Sequence, residues 1–370
     1  VFSRAHCKIT FIACHIERIS LSIQRVAKYA GVSTATVSRV LNAVPVVSES
    51  TVKNVQAALK ALNYDPLAVK RGPKPGMRRQ PAARKAGMIA IMTVGLSRDK
   101  LRFPVTGAVV TAISSAAKQN GIKVLLDEMP DLTEISSVIM DREVDGAVVF
   151  LSDEAPLNVL AELHRHVPVV WAMGGHAGPL PVDHVSENNL AIGYLAYQYL
   201  RSKGCRDVAF LSLVPHKRNA RQRGQALVGA AADSGQSIRA LLMTDDRIIA
   251  SPYGADTITA RDLPELIEAF AAMSPRPDGL FIDRDSTTVR VYPLLQKHGI
   301  QPGRDVTIIS CDNEEMALSA LSPRPASIEL GTDELGGRII RRLLLRIENR
   351  EEPPIMIQTM PRLVPGDGDS

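Results

Sequence analysis

The sequence predicts a small all-α helix-turn-helix head, a short basic connector and a larger α/β body of two lobes with parallel sheets. Three observations carry this. Of the 370 residues, the first 85 hold 15 Lys and Arg against three acidic residues, Glu17, Glu49 and Asp65, while the remainder holds 29 bases and 36 acids. Within the basic part, apolar residues recur at helical spacing in three short segments, separated by a glycine and by a proline-containing loop. Beyond Gly87, short apolar runs alternate with helical stretches of about ten to eighteen residues, the signature of parallel sheets with right-handed crossovers.

The composition, 45% hydrophobic and 22% charged, is that of a globular protein and excludes bulk disorder. The 4 cysteines are scattered, which argues against a disulfide scaffold and for a reducing compartment, hence a cytoplasmic location. No apolar run approaches the ~18 residues that span a bilayer, so no membrane partner is expected. A basic head on a mildly acidic body points to a polyanion as the partner of the head.

Residues 1–20 are expected to be a loosely ordered extension. The run Ile9–Cys14 is too short for a secretory signal. His6-Cys7 and Cys14-His15 lack the two-to-four-residue spacing and second ligand pair of a zinc site, so no metal or other cofactor is expected.

The head occupies residues 21–66. Ser22 caps a helix over Ile23–Ala30, with Ile23, Val26, Ala27 and Ala30 on one face. Gly31 permits a positive-φ turn. Ser33 caps a second helix, Thr34–Leu41, whose Val37, Val40 and Leu41 face inward, and Asn42 stops it. Ser48 caps a third, carrying Val52, Val55, Leu59 and Leu62. The polar face of the second helix presents Thr34, Ala35, Ser38 and Arg39. Small residues let a helix N-terminus sink into a major groove, and an arginine there can pair with guanine O6 and N7. The hydroxyls of Ser33, Thr36 and Ser38 suit phosphate contacts that set register. Spacing alone leaves a small protein-binding three-helix bundle open.

The run Val26-Ala27…Ala30-Gly31-Val32-Ser33…Thr36-Val37-Ser38-Arg39-Val40-Leu41-Asn42, followed by Val47-Ser48-Glu49…Thr51 and Leu62-Asn63-Tyr64…Pro66, resembles the headpiece of the LacI/GalR family of bacterial repressors. The resemblance implies base-edge contacts by Thr34, Ala35 and Arg39. The full DNA-binding set is Ser22, Ser33, Thr34, Ala35, Thr36, Ser38, Arg39, Asn42, Tyr64, Lys70 and Arg71. Arg25 stands where the family has Asp, an altered surface contact that leaves the fold intact. In the family a hinge helix follows the Tyr-x-Pro motif and ends in a Leu that wedges into the minor groove. Here residues 67–86 form the connector, and Pro73, preceded by Gly72, stands in the place of that Leu. Both are poor helix formers, so about one helical turn at most is expected. Lys70, Arg71, Lys74, Arg78 and Arg79 then read as an extended basic arm along phosphates or in a narrow minor groove. A flexible linker is the alternative.

In the body, residues 87–364, strands are expected at Met88–Met92, Lys123–Leu126, Asp145–Leu151, Val167–Trp171, Val208–Leu213, Ala240–Met243, Gly279–Ile282, Val306–Ser310 and Ile355–Gln358. Helices are expected at Val105–Asn120, Asn188–Lys203 and Asp333–Asn349. So long a segment suits two lobes better than one sheet, with ligand in the crevice at the carboxyl ends of the strands. Glu143-Val144-Asp145-Gly146, Glu187-Asn188…Gly193, Arg221-Gln222-Arg223-Gly224, Phe281-Ile282-Asp283-Arg284-Asp285 and Ser310-Cys311-Asp312-Asn313 are similar to landmarks of the same family. They imply the two-lobed type I periplasmic-binding-protein-like architecture as an effector domain, with Arg221, Asp285 and Asp312 in its cleft. Trp171 either stacks on a ligand there or belongs to the core. Met173, Arg284, Leu330 and Thr332 depart from the pattern of the galactoside binders. Residues 365–370 are expected to fray.

No nucleophile elbow, P-loop or dinucleotide fingerprint is present, so no enzymatic activity is expected. The family reading is a homodimeric, sequence-specific transcriptional regulator, a repressor, on a near-palindromic double-stranded operator, controlled by a carbohydrate effector. The alternative is a sensor of the solute-binding type whose helical head binds a protein partner.

Overall fold

The computed structural model describes residues 23–41, 47–62, 87–96, 103–176, 178–244 and 256–369. The chain forms two compact units, divided between Ala83 and Arg84. The expectations for residues 1–20, for Ser22, Asn42 and Tyr64, and for the basic arm with Lys70 and Arg71 lie outside the described residues.

The first unit contains α1 (Ile23–Ala30), α2 (Thr34–Leu41) and α3 (Glu49–Ala61). Gly31 adopts φ +65°, which turns the chain sharply between α1 and α2. Val26, Ala27, Val37, Val55 and Ala58 form the buried core, closed by Val40, Leu41, Leu59 and Leu62. Such a core is small, so caps matter. Ser48 Oγ accepts from the Thr51 amide at 3.4 Å, and Ser33 Oγ from the Thr36 amide at 3.1 Å, each relieving an orphan N–H at a helix start. Arg25 is exposed on α1, away from the core.

The second unit is built on two sheets. The first has the order β12-β5-β4-β3-β1-β2, with β1 (Met88–Val94), β2 (Lys123–Met129), β3 (Gly146–Leu151), β4 (Val169–Ala172), β5 (Asp183–Glu187) and β12 (Met356–Thr359), all parallel. The second runs β13-β11-β10-β9-β6-β7-β8, with β6 (Val208–Ser212), β7 (Ile238–Met243), β8 (Asp256–Ala260), β9 (Gly279–Ile282), β10 (Thr307–Cys311), β11 (Ala326–Glu329) and β13 (Arg362–Val364). Only β13 is antiparallel. The inner strands are buried on both faces, which is why runs such as Ile89–Met92 and Ala147–Val149 are continuously apolar and not alternating.

Helices cover both faces. In the first lobe α4 (Pro104–Gln119) and α12 (Thr332–Glu348) pack Val109, Ile113, Leu335 and Ile339 onto Ile89, Ile91 and Val148. Gly336 allows the close crossing, since a Cβ there would meet Ala112. In the second lobe α7 (Asn189–Ser202) and α8 (Arg218–Asp233) cover one face, α9 (Leu263–Ala272) and α10 (Asp285–Lys297) the other.

The chain crosses between the lobes three times, from β5 to α7, from β11 to α12 and from β12 to β13. The crossings are tied together: the Asn188 amide donates to the Thr359 carbonyl (3.1 Å), and Thr359 Oγ1 donates to the Leu330 carbonyl (3.3 Å).

The expected fraying of residues 365–370 is corrected for residues 365–369. Asp367 accepts from the Arg324 amide through Oδ2 (2.8 Å), its own amide donates to the Arg324 carbonyl (3.0 Å), and Lys203 Nζ reaches the Gly368 carbonyl (3.1 Å). Gly366 lies so close to the backbone of residues 324–326 that no side chain would fit.

Candidate functional site

On the head, burial sorts the faces of α2. Val37 is buried, whereas Ser33, Thr34, Ala35 and Arg39 are exposed and Thr36 and Ser38 are half-buried. The helix therefore presents small side chains at its N-terminus and one guanidinium a turn later, all on the side away from the core. Backbone amides, the helix dipole and Arg39 favour phosphate and base edges on that side. Ser33 and Thr36 also bond each other at 2.9 Å, which holds both hydroxyls at the helix start.

In the body, a cavity of about 350 Å³ opens at the carboxyl ends of strands from both sheets. Its walls include Asp153 after β3, Trp171 and Met173 at the end of β4, Glu187 closing β5, Arg284 after β9, and Asp312 and Glu314 after β10. Lys217 and Arg223 reach it from the start of α8, and Leu330 from the second crossover. Met173 (φ 62°) and Asp312 (φ 107°) both hold left-handed backbone conformations at these strand ends. Such strain in non-glycine residues concentrates at functional sites.

Of the residues singled out from the sequence, Asp312 lines the cavity and Trp171 lines it while only 2% exposed. The Trp171 ring stacks on buried His184, with centroids 4.0 Å apart, and Arg218 lies 6.0 Å from its centre, so most of its surface is core. Burial pushes His184 down to about 4, which keeps the imidazole neutral at neutral pH.

Arg221 is corrected: it is exposed and does not line the cavity. The arginine of this motif that lines the cavity is Arg223, two residues on, which is 2% exposed. Two residues turn a helix by about 200°, so only one of the pair can face inward. Arg223 Nε donates to Asn189 Oδ1 at 2.9 Å, and Nη1 donates to the Asp283 carbonyl and to Asp312 Oδ1 at 3.4 Å. Its side of α8 is chosen by α7, where Gly193 packs so tightly that a Cβ would collide with the Arg223 carbonyl.

Asp285 is corrected as well. It is fully buried and absent from the cavity wall, which Arg284 and Ser286 line in its place. It opens α10 and is held from below by Ser310 Oγ, by Ser327 Oγ at 2.9 Å and by the Glu314 amide at 2.7 Å. Burial, and then neighbouring Asp312, push its pKa up to about 8. It positions the loop that carries Asp312 and Glu314. Burial also raises Asp312 against the pull of Arg223.

Several cavity residues escaped the sequence reading as site residues, Arg223 and Glu187 among them. A signal for Glu187 was the odd carboxylate in the Glu187-Asn188 landmark. Met173, Arg284 and Leu330, noted as departures, all line the cavity. Among the described residues no group of three or more His, Cys, Asp or Glu could hold a metal ion, and no helix is long and apolar enough to cross a membrane.

A three-helix head of this form, followed by a two-lobed domain with a cavity at its strand ends, defines a ligand-responsive DNA-binding regulator. Residues 22–66 match the family described as bacterial regulatory proteins, lacI family, and residues 197–368 match the periplasmic binding protein-like domain. The HTH-type transcriptional repressor PurR of Vibrio cholerae is 28% identical over 353 residues, covering 94% of this chain and 97% of that protein. Among solved structures, the transcriptional regulator CelR in complex with cellobiose (TM-score 0.59, 20% identity, 94% of this chain and 99% of that one) shares the fold. So does the Lac repressor bound to ONPG (TM-score 0.59, 20% identity, 95% and 99%). The chain belongs to the LacI family of bacterial regulatory proteins, and it is a DNA-binding transcriptional regulator.

Proposed function

We propose that this regulator is a homodimeric repressor whose affinity for a near-palindromic operator is set by a small molecule, a carbohydrate, held between the two lobes. The exposed N-terminal face of α2 is the single observation that most supports it: Thr34, Ala35 and Arg39 stand clear of the core where a groove would receive them. A two-fold protein meets two-fold DNA through two such heads. Ser33, Thr36 and Ser38 contact phosphates. In the cleft, Arg223 and Asp312 bracket the effector, with the edge of Trp171 beside them. Ligand shifts operator affinity to the extent that it binds one lobe arrangement better than another. The sugar named in the CelR complex, and the repressor named in the curated relatives, support this reading by analogy. Residues 21–66 serve as the DNA-binding domain, 67–86 as the connector and 87–364 as the effector and dimerisation domain.

Two substitutions test it. Arg39→Ala should cost about 1–3 kcal/mol and relax specificity at one operator position, measured by quantitative gel shift on a set of single-base operator variants. A loss equal on all sequences would make Arg39 a phosphate contact. Asp312→Asn should weaken effector affinity about tenfold, measured by titration calorimetry, while operator affinity without effector stays unchanged. Asn tolerates the left-handed backbone at this position, so the change isolates the charge. Lost operator affinity in effector-free Asp312→Asn protein would instead make the residue structural.

A further inference from the structure

We infer that Glu187 selects the ligand of the cleft, its Oε2 pairing with a hydroxyl of an uncharged polyhydroxylated molecule. This rests on the effector reading given above and names the ligand chemistry of the same cavity.

Glu187 closes β5 at the first crossover between the lobes, opposite Thr359 in the sheet register. It is 1% exposed, and it lines the cavity. Its Oε1 accepts from Asn189 Nδ2 at 3.1 Å, whereas Oε2 has no hydrogen-bond partner within the protein. A buried carboxylate oxygen without a partner is costly, and at a cavity wall the missing partner is supplied by whatever fills the cavity. Arg284 also lines the cavity, and its buried Nε has no hydrogen-bond partner, its one charged contact being the ion pair with Asp283 Oδ1 at 3.5 Å. Arg223, by contrast, has Nε committed to Asn189 and Nη1 to the Asp283 carbonyl and Asp312.

The cavity therefore asks its occupant for a donor at Glu187 and an acceptor at Arg284. A hydroxyl is both. A ligand carboxylate has no proton to give Glu187 Oε2, and an ammonium has no lone pair for Arg284 Nε. Charge leads the same way. Four acids line the cavity (Asp153, Glu187, Asp312 and Glu314) against three bases (Lys217, Arg223 and Arg284), so an anionic ligand would meet no surplus of positive charge.

The test uses the full chain in thermal-shift screening followed by calorimetry. A neutral arm holds pentoses, hexoses, disaccharides and alditols; an anionic arm holds hexose 6-phosphates, uronates and inorganic phosphate. A neutral compound is expected to bind, and Glu187→Gln, which leaves only an amide donor at the Oε2 position, should weaken it about tenfold. Glu187→Asp keeps the charge but draws the oxygen back from the cavity, and should weaken it similarly. Among monodeoxy analogues of the bound compound, one should lose about tenfold on the wild-type chain and nothing further on either variant, a pattern that a folding defect does not produce. Should Glu187→Gln not fold, Glu187→Asp carries the same comparison. Binding confined to the anionic arm, a neutral ligand indifferent to both substitutions, or full affinity in Glu187→Asp overturns the assignment and leaves the effector reading standing. A protein that binds nothing in either arm removes the effector reading itself, and this inference with it.

Discussion

A chain lacking residues 1–83 is expected to lose sequence-specific DNA binding altogether while keeping its response to small molecules. The division falls between Ala83 and Arg84, and β1 begins only at Met88, so the cut leaves the body intact. Each unit has a core of its own. The head buries Val26, Val37 and Val55 among themselves, and the body closes its sheets with separate sets of residues. Specific binding exceeds non-specific binding by roughly 10³–10⁷-fold in proteins that read DNA in this way, and the whole of that ratio should vanish. The measurement is selection of bound genomic fragments by the full chain, then gel shifts of the enriched sequence with the full and the shortened chain at several salt concentrations. Equal retention of cognate and scrambled duplexes by the full chain would remove DNA readout. Specific binding by the shortened chain would move it out of the head.

Asp183→Ala should be the most damaging single substitution in the body. Asp183 is 1% exposed and takes five hydrogen bonds: from Arg342 Nε (2.8 Å) and Nη2 (3.1 Å), from Arg346 Nε (2.8 Å) and Nη2 (2.7 Å), and from the Ile355 amide (2.9 Å). It thereby joins the first residue of β5 to the last turns of α12 and to the approach to β12. Removing the carboxylate leaves two buried guanidiniums facing each other, a loss of about 3–5 kcal/mol and a melting midpoint lower by on the order of 10 °C. Chemical denaturation of both chains checks this. The pH dependence has a definite sign. Burial pushes the Asp183 pKa up, but the hydrogen bonds from Arg346 and Arg342 prevail and hold it below the usual carboxylate value. The unfolded chain then takes up the proton first as pH falls, so the stabilisation is complete above the ordinary carboxylate pKa of 3.8 and is lost as pH drops through the folded value. The stability difference between wild type and Asp183→Ala should be flat from neutral pH down to about 4 and shrink below it. A difference under about 1 kcal/mol at neutral pH would mean that the two arginines find other partners.

Much of the architecture was legible in the residues. The two helices of the helix-turn-helix span the expected Ile23–Ala30 and Thr34–Leu41, because caps, Gly31 and a 3.6-residue apolar period all agree there. All nine expected strands of the body are present within a few residues of their expected ends, since most of them are inner parallel strands buried on both faces and read as apolar runs. Four strands were not foreseen, and β5 shows why. Its sequence, Asp183-His184-Val185-Ser186-Glu187, is polar, yet every residue is buried. Asp183 is met by Arg342 and Arg346 on α12, His184 Nε2 by the Met173 carbonyl and Glu187 Oε1 by Asn189, partners that all lie outside the strand. Hydropathy carries no trace of such a strand.

The site divides in the same way. Local periodicity was enough to set the exposed face of α2 and to bring strand ends to one crevice, because those properties depend on neighbours a few residues away, whereas Asp312 was placed in that crevice by the family resemblance. Which of Arg221 and Arg223 points inward was decided by Gly193 on another helix, and the withdrawal of Asp285 from the cavity wall by serines on two adjacent strands. Charged side chains go where desolvation can be repaid by partners, and those partners exist only once the sheets and helices have packed.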